Sequence, residues 1–404
     1  MENTDSITAA RPETVIIVGG GIGGMAAALA LSGLGMSVTL LEQSAEIGEI
    51  GAGIQLGPNA FAALDALGVG ENARQRAVFT ERLVMMDAVD GSEVATFPVG
   101  ERFRERFANP YAVIHRADIH KSILEAVVKS PRIRFVTRSR VVEAVDEGNQ
   151  VCVTDSQGQR YVGDAAIGCD GVKSVLRERL VGDEARVSGH VVYRAVVPVE
   201  DMPADLRWNA PAVWAGPDCH LVHYPLRDAK QFNLVVTFHS REKETWGVRE
   251  GSKEEVLSYF TGIGARPRQL LDRPTSWKRW STADRDPVES WGKGRQTLLG
   301  DAAHPMLQYL AQGACMAIED AVTLREAVVR TGFDLPAAFR LYEKSRITRT
   351  ARVVLSAREM GRIYHAKGVE RLVRNSLWQG RDPERFYDAL EWLYGWRAEN
   401  CLAL

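Results

Sequence analysis

The chain has 404 residues, 45% of them hydrophobic and 25% charged, the balance of a globular protein long enough for two or three domains. Its 50 Lys and Arg against 52 Asp and Glu leave a formal net charge of −2, which argues against a nucleic-acid binder or a protein drawn to anionic membranes. The five cysteines, Cys152, Cys169, Cys219, Cys315 and Cys401, form no CxxC pair, so neither a zinc knuckle nor a dithiol redox centre is indicated and reduced thiols are expected.

The N-terminus lacks the basic and apolar regions of a signal peptide. No apolar run reaches the roughly 18 residues of a membrane span. A cytoplasmic location is expected. Residues 1 to 13 read as a loose polar tail. Thr14 to Val18 is β-branched and apolar, a buried parallel strand. The glycine run Gly19 to Gly24 follows, then a helix over Met25 to Leu34 that Gly35 ends. Ser37 to Leu41 is a second strand, stopping at Glu42 and completing a βαβ unit.

Gly48 to Gly57 is glycine-rich, with Ile50, Ile54 and Leu56 alternating through it, as in a loop entering a strand beside a ligand. A helix over Pro58 to Leu67 ends at Gly68. Antiparallel strands are expected within Leu83 to Val99 and Val141 to Val153, with an amphipathic helix over Arg116 to Lys129 between them. Ala165 to Gly168 is a short buried strand. From Val187 to Trp280 alternating runs such as His190 to Pro198 and Asn233 to Phe238 indicate a second, sheet-based domain. Arg295 to Leu299 returns to a buried strand, and the tail from Leu335 is helical.

Gly19-x-Gly21-x-x-Gly24 follows a strand and opens a helix. Gly19 makes the tight turn, Gly21 lets backbone approach a pyrophosphate, and Gly24 lets helix and strand pack closely. The helix N-terminus then offers N–H groups and partial positive charge to phosphates. Glu42 stands where a carboxylate accepts hydrogen bonds from ribose hydroxyls. An NAD site would look the same here. FAD is favoured because Asp170 and Asp301 recur far downstream in strand-then-glycine contexts, as if distant segments held the two ends of one dinucleotide.

These runs, Cys169-Asp170-Gly171 and Gly300-Asp301-Ala302-Ala303-His304-Pro305 continuing through Gly313 to Asp320, together with the glycine motif, resemble the class A flavoprotein aromatic hydroxylases, the family of 4-hydroxybenzoate and salicylate hydroxylases. The resemblance implies an α/β fold in which a Rossmann-like FAD-binding domain is interleaved with a β-sheet substrate domain and followed by a helical C-terminus. The FAD part is expected over residues 1–78, 105–186 and 281–335, the substrate sheet over 79–104 and 187–280, and the helical region over 336–404. It also implies that Asp170 lies near the pyrophosphate and the approach of NADH, that Asp301 holds the ribityl chain, that Arg116 contacts FAD, and that the helix after Gly313 points its positive end at the flavin. Each aspartate could instead be a helix N-cap. There is no second GxGxxG, so NADH is expected to dock transiently.

Within that family, His220 in Cys219-His220-Leu221 and Gln308 after His304-Pro305 are similar to the 3-hydroxybenzoate-hydroxylating members, as are Tyr111 and Tyr224. The implied reaction is hydroxylation of a phenolic carboxylate para to its hydroxyl by a flavin C4a-hydroperoxide, with 3-hydroxybenzoate giving 2,5-dihydroxybenzoate and molecular oxygen as co-substrate. His220 is the expected base for the phenol, Gln308 its orienting partner, and Tyr111 and Tyr224 substrate-binding, although both tyrosines could simply line the core. His223 falls out of phase with His220 on a strand and should face the other way. No arginine stands out for the substrate carboxylate, and no metal site is expected. Salicylate 1-monooxygenase and 6-hydroxynicotinate 3-monooxygenase activities stay open, as does a partner-binding protein of the flavin fold. Trp378, Trp392, Trp396 and Leu402 in the tail form either an interface or internal packing. A homodimer is expected.

Overall fold

In a computed structural model, residues 13–46 and 52–402 are described; the tail 1–12 and Gly48 to Gly51 of the glycine-rich loop lie outside them. Thr14–Val18 is the middle strand of a five-stranded sheet. It pairs in parallel with Ala165–Gly168 on one side and Ser37–Leu41 on the other, and Gln296–Leu298 and Ile133–Val136 form the edges. The central strands are short and apolar because helices cover a parallel sheet on both faces. One of those helices begins at Ile22, almost a turn before the Met25 start expected from composition. Packing accounts for the difference. A Cβ on Gly24 would stand 1.9 Å from the Gly19 carbonyl oxygen, so the glycines belong to the first helical turn and let it press against the strand. This Ile22–Ser32 helix buries Ala26, Ala27, Ala28 and Ala30, and the 18-residue Gly313–Arg330 helix packs against it.

The second sheet has eight strands. Running across it are Gly247–Gly251, Trp277–Asp284, Arg186–Pro198, Gln231–His239, Cys219–Leu226, Ala212–Gly216, Arg82–Asp87 and Glu93–Pro98. All neighbours are antiparallel except Ala212–Gly216 and Arg82–Asp87, which pair in parallel. Two helices that periodicity did not bring out, Lys253–Tyr259 and Ala265–Leu271, bury Val256, Leu270 and Leu271 in the core of this unit. The two cores meet at a small apolar cluster that includes Val113, Val192, Val222 and Tyr224.

A three-stranded sheet of Gly53–Leu56, Ala112–His115 and Val78–Phe79 bridges the two units. The C-terminal region is helical: Leu335–Tyr364, Gly368–Trp378 and Pro383–Tyr394. Its tryptophans pack internally. Trp378 meets Phe386 edge-on, Arg352 lies over Trp392, and Trp396 is buried. Among the described residues no helix is long and apolar enough to cross a membrane.

Candidate active site

A continuous cavity of about 710 Å³ runs between the two sheets and under the C-terminal helices. At one end its wall is Gly21, Ile22 and Gly23; at the middle it is Gly300, Asp301, Gln312 and Gly313; at the other end it is Tyr111, His220, Tyr224 and Gln308. Three segments distant in sequence therefore enclose one elongated space.

The glycine loop is shaped for an anion. Gly19 sits at φ +107, where a Cβ would lie 2.3 Å from the Cys169 carbonyl oxygen. A Cβ on Gly21, by contrast, would meet no atom within 4 Å. The helix that follows has no side-chain cap and no acid in its first turn, so its N–H groups face open space. Glu42, at the end of the second strand, accepts from Gly20 N at 2.8 Å and Ser44 N at 2.7 Å, which fixes a carboxylate beside the loop. Asp170 turns its Oδ2 to Val175 N at 2.8 Å, at the start of the Val175–Leu180 helix, while its Oδ1 is buried without a partner. Cys169 and Gly171 on either side of it line the cavity.

The middle of the cavity repeats this electrostatic design. The Gly313–Arg330 helix also lacks a side-chain cap and first-turn acids, and its N-terminal end opens on the cavity. Asp301 lines the wall, and the surrounding protein pushes its carboxyl above the usual range. Arg116, the first residue of the Arg116–Val127 helix, lines the cavity as well. A ligand with phosphates at one helix end and a ring gathering negative charge at the other fits this wall. FAD has that form, and Gly21 and Gly313, Glu42, Arg116 and Asp301 are the residues that would hold it.

Beneath the middle lies a group of buried charges that the motif reading left without a role. Asp320 Oδ2 accepts from Gly300 N at 3.0 Å and meets His304 Nε2 at 2.6 Å. Glu319 is paired with Arg346 and Arg349 at 2.7 Å each, and Asn59 donates to it and to Gln312. These contacts lock the Gly300 turn to the start of the Gly313–Arg330 helix.

At the far end, Tyr111 donates to Gln55 Oε1 at 2.6 Å and packs edge-on against Tyr394. Tyr224 and His220 come from the Cys219–Leu226 strand. His220 is 2% exposed, and burial together with the nearby His190 pushes its pKa down to about 3. Its Nδ1 is 2.8 Å from His365 Nε2, which leaves Nε2 as the nitrogen available to a ligand. Gln308 Nε2 donates weakly to Thr237 Oγ1 at 3.4 Å, and the side chain lines the cavity. His223 faces away: its Nε2 meets the Leu206 carbonyl at 3.0 Å and Trp214 Nε1 donates to its Nδ1. The alternation of the strand separates the two histidines as expected.

Two residues of this end were not singled out from sequence. Arg194 lines the cavity from the Arg186–Pro198 strand, with its guanidinium 5.7 Å from the Trp280 ring and its pKa lowered by burial. An arginine alternating with valines on an apolar strand was the available signal. His365 follows the Leu335–Tyr364 helix, in a stretch with no local motif. Among the described residues no His/Cys/Asp/Glu group could hold a metal ion.

The chain is similar to known proteins. Residues 13–356 match the family described as FAD binding domain. The chain is 64% identical to the 3-hydroxybenzoate 6-hydroxylase of Polaromonas naphthalenivorans (strain CJ2), over 96% of this chain and 97% of that protein. It is 63% identical to the 3-hydroxybenzoate 6-hydroxylase of Klebsiella oxytoca, over 97% and 99%. A solved salicylate hydroxylase substrate complex superposes with a TM-score of 0.82 at 26% identity, covering 97% of each chain. With the family match spanning most of the chain and these identities spanning nearly all of it, the chain belongs to the FAD-binding class A flavoprotein hydroxylases.

Proposed function

We propose that this enzyme is an FAD-dependent, NADH-using monooxygenase that converts 3-hydroxybenzoate to 2,5-dihydroxybenzoate. The observation that carries the proposal is the single cavity joining the glycine-loop cradle to the His220 and Gln308 pocket. The 64% identity to a 3-hydroxybenzoate 6-hydroxylase over nearly the whole chain supports the choice of substrate. FAD, when bound, takes electrons from NADH and activates molecular oxygen.

The protein's part is to place and ionise the phenol. A phenolate activates its para carbon far more than a phenol does, and in 3-hydroxybenzoate that carbon is C6. His220 Nε2 accepts the phenol proton, and Gln308 hydrogen-bonds the same oxygen and sets the ring's orientation. Tyr111 and Tyr224 bound the ring. Arg194 supplies the charge that complements the carboxylate; of the three arginines on the wall, Arg116 belongs to the cofactor and Arg381 lies over Phe386 beyond the tyrosines. The apolar wall of Val222, Val235 and Leu307 excludes water from the reacting edge.

The domain division expected from sequence, with residues 79–104 and 187–280 forming the substrate unit, is part of this proposal, as are a cytoplasmic location and a homodimer. All five cysteines are free, which suits a reducing compartment. The Gly368–Trp378 helix exposes Val369, Leu372, Val373 and Leu377 along one face, and a second copy of the chain is the proposed occupant.

The deciding experiment is to screen hydroxybenzoates for stimulated NADH oxidation and to identify the product by chromatography. 3-Hydroxybenzoate yielding 2,5-dihydroxybenzoate is expected. Catechol from salicylate, or a 6-hydroxynicotinate product with no turnover of 3-hydroxybenzoate, would replace the proposed substrate. A colourless protein to which added FAD restores no NADH oxidation would remove the enzyme reading altogether.

A further inference from the structure

His220 sits at the inner end of a row of imidazoles that leads to the surface. His220 Nδ1 and His365 Nε2 are 2.8 Å apart. The His365 ring centre is 5.3 Å from that of His190, and His190 is 5.2 Å from His239, which is exposed at the end of the Gln231–His239 strand. Four different segments bring these rings together. His190 and His239 are register partners on adjacent strands, His220 is on the next strand, and His365 follows the long C-terminal helix.

The other titratable groups packed around the row are few. Tyr309 Oη is 2.7 Å from His190 Nδ1, and burial raises the pKa of that tyrosine, so it stays neutral. Tyr364 lies against His220, and its hydroxyl is likewise held neutral by burial. Arg186 and Asp284 act on His190 with opposite sign, and the exposed Lys367–Asp218 pair lies near His365, whose carbonyl accepts from Asp218 N. Among the described residues no carboxylate hydrogen-bonds the ring of His220 or of His365.

This arrangement sets a problem for His220 as a base. A buried imidazolium with no carboxylate beside it is costly, and the same burial pushes the rings of His220 and His190 down to about 3 and about 4 and holds His365 well below its ordinary range. A base that cannot keep its proton needs somewhere to pass it.

We propose that His365 is that outlet, taking the Nδ1 proton of His220 as His220 Nε2 accepts the phenol proton, and releasing a proton of its own to water. In the step, the phenol O–H bond breaks and a His220 Nε2–H bond forms, while the His220 Nδ1–H bond breaks and a His365 Nε2–H bond forms. His365 then gives its Nδ1 proton to solvent water at the 9% of its surface that remains exposed. No charge remains on His220, and its starting tautomer returns when its ring exchanges the proton back after product leaves. His365 touches neither substrate nor cofactor and is a positioning and relay residue. The inference rests on the proposed role of His220 as the base.

The test uses the FAD-loaded enzyme, NADH and 3-hydroxybenzoate, with hydroxylated product and peroxide both measured. His365→Gln keeps a neutral polar side chain, and His365→Phe keeps a ring without nitrogen. Both are expected to lower coupled kcat at least 10-fold with KM changed less than about 3-fold, and added imidazole is expected to restore part of the lost rate in a concentration-dependent way. Rescue by imidazole would not follow from a role in packing alone. A His365→Gln enzyme with wild-type coupled kcat overturns the relay, as does one whose deficit imidazole leaves untouched. If His365→Phe does not fold, His365→Gln decides. His220→Ala separates the two ideas: wild-type coupling in that variant removes the base and the relay together, whereas loss of coupling there with an unaffected His365→Gln removes the relay alone.

Discussion

Arg346 reaches Asp320 across the interface of two packed helices, Nε to Oδ1 at 2.6 Å, and neither side chain exposes any surface. Its other nitrogens meet Glu319 Oε2 and the Met316 carbonyl. Breaking one partner leaves uncompensated buried charge, which costs about 3–5 kcal/mol. Arg346→Ala is therefore expected to lower the unfolding free energy by that amount in urea titrations of the FAD-loaded enzyme. It should also release flavin, because the same carboxylates hold Gly300 and the start of the Gly313–Arg330 helix in place. Retained flavin at wild-type stability would detach the network from the cofactor site.

Acid should destabilise the enzyme in two stages. Burial depresses His190, His220, His223 and His365, so the folded chain binds fewer protons than the unfolded one below the ordinary histidine value. That stability is fully present above about pH 6.5 and is lost as pH falls toward the folded values near 4 and 3. Asp320 is depressed to about 2 despite its burial, by His304 and Arg346, so its contribution persists down to about pH 4 and disappears only toward pH 2. Unfolding free energies measured from pH 7 to pH 4 should fall by at least about 3 kcal/mol. A flat curve over that range would contradict the neutral imidazole row.

His220→Ala should reduce coupled hydroxylation about 10²- to 10⁴-fold, the usual worth of a positioned base, and raise uncoupled peroxide release, while FAD binding changes little. Flavin fluorescence titration and product yield per NADH check the two halves of this expectation. Unchanged turnover and coupling would exclude His220 from the chemistry.

Arg194→Gln should raise KM for 3-hydroxybenzoate about 10- to 100-fold, in keeping with the loss of a charge-assisted contact, and Arg194→Lys by less. The neutral analogue 3-hydroxybenzyl alcohol should lose nothing by either change. Equal losses for the charged and neutral substrates would mean that Arg194 serves the cofactor or the fold.

Two neighbouring glycines should fail in different ways. Gly21→Ala places its methyl in open cavity, so the apoprotein should keep its stability while FAD affinity falls at least 10-fold. Gly24→Ala drives its methyl to within 1.9 Å of the Gly19 carbonyl and should destabilise the apoprotein itself. Thermal melts with and without FAD distinguish the two.

What could be read from sequence was what local chemistry encodes. The Thr14 to Leu41 βαβ unit follows from β-branched runs and a glycine turn, and the Gly21 position follows from the same turn, whereas the roles of Asp301 and Gly313 come from the resemblance to a known family. Arg194 and His365 were not legible in the same way. Arg194 acquires its surroundings from Trp280 and Tyr224, which lie on other strands. His365 meets His220 only because a 30-residue helix carries it back over the sheet. The tail tryptophans show the same limit from the other side: an amphipathic helix announces an apolar face, but only tertiary packing decides that Trp392 and Trp396 turn inward while Leu372 and Leu377 stay out.

The parallel pairing of Ala212–Gly216 with Arg82–Asp87 joins segments far apart in the chain. Gln296–Leu298 does the same for the cofactor sheet by completing its edge beside Ala165–Gly168. During synthesis, therefore, no early portion of the chain can present a finished wall to either ligand. The first strands leave the ribosome with an exposed sheet edge and wait for partners made late. The cavity is fully enclosed only once nearly all of the chain is present, since its lining runs from Gly21 to Tyr394.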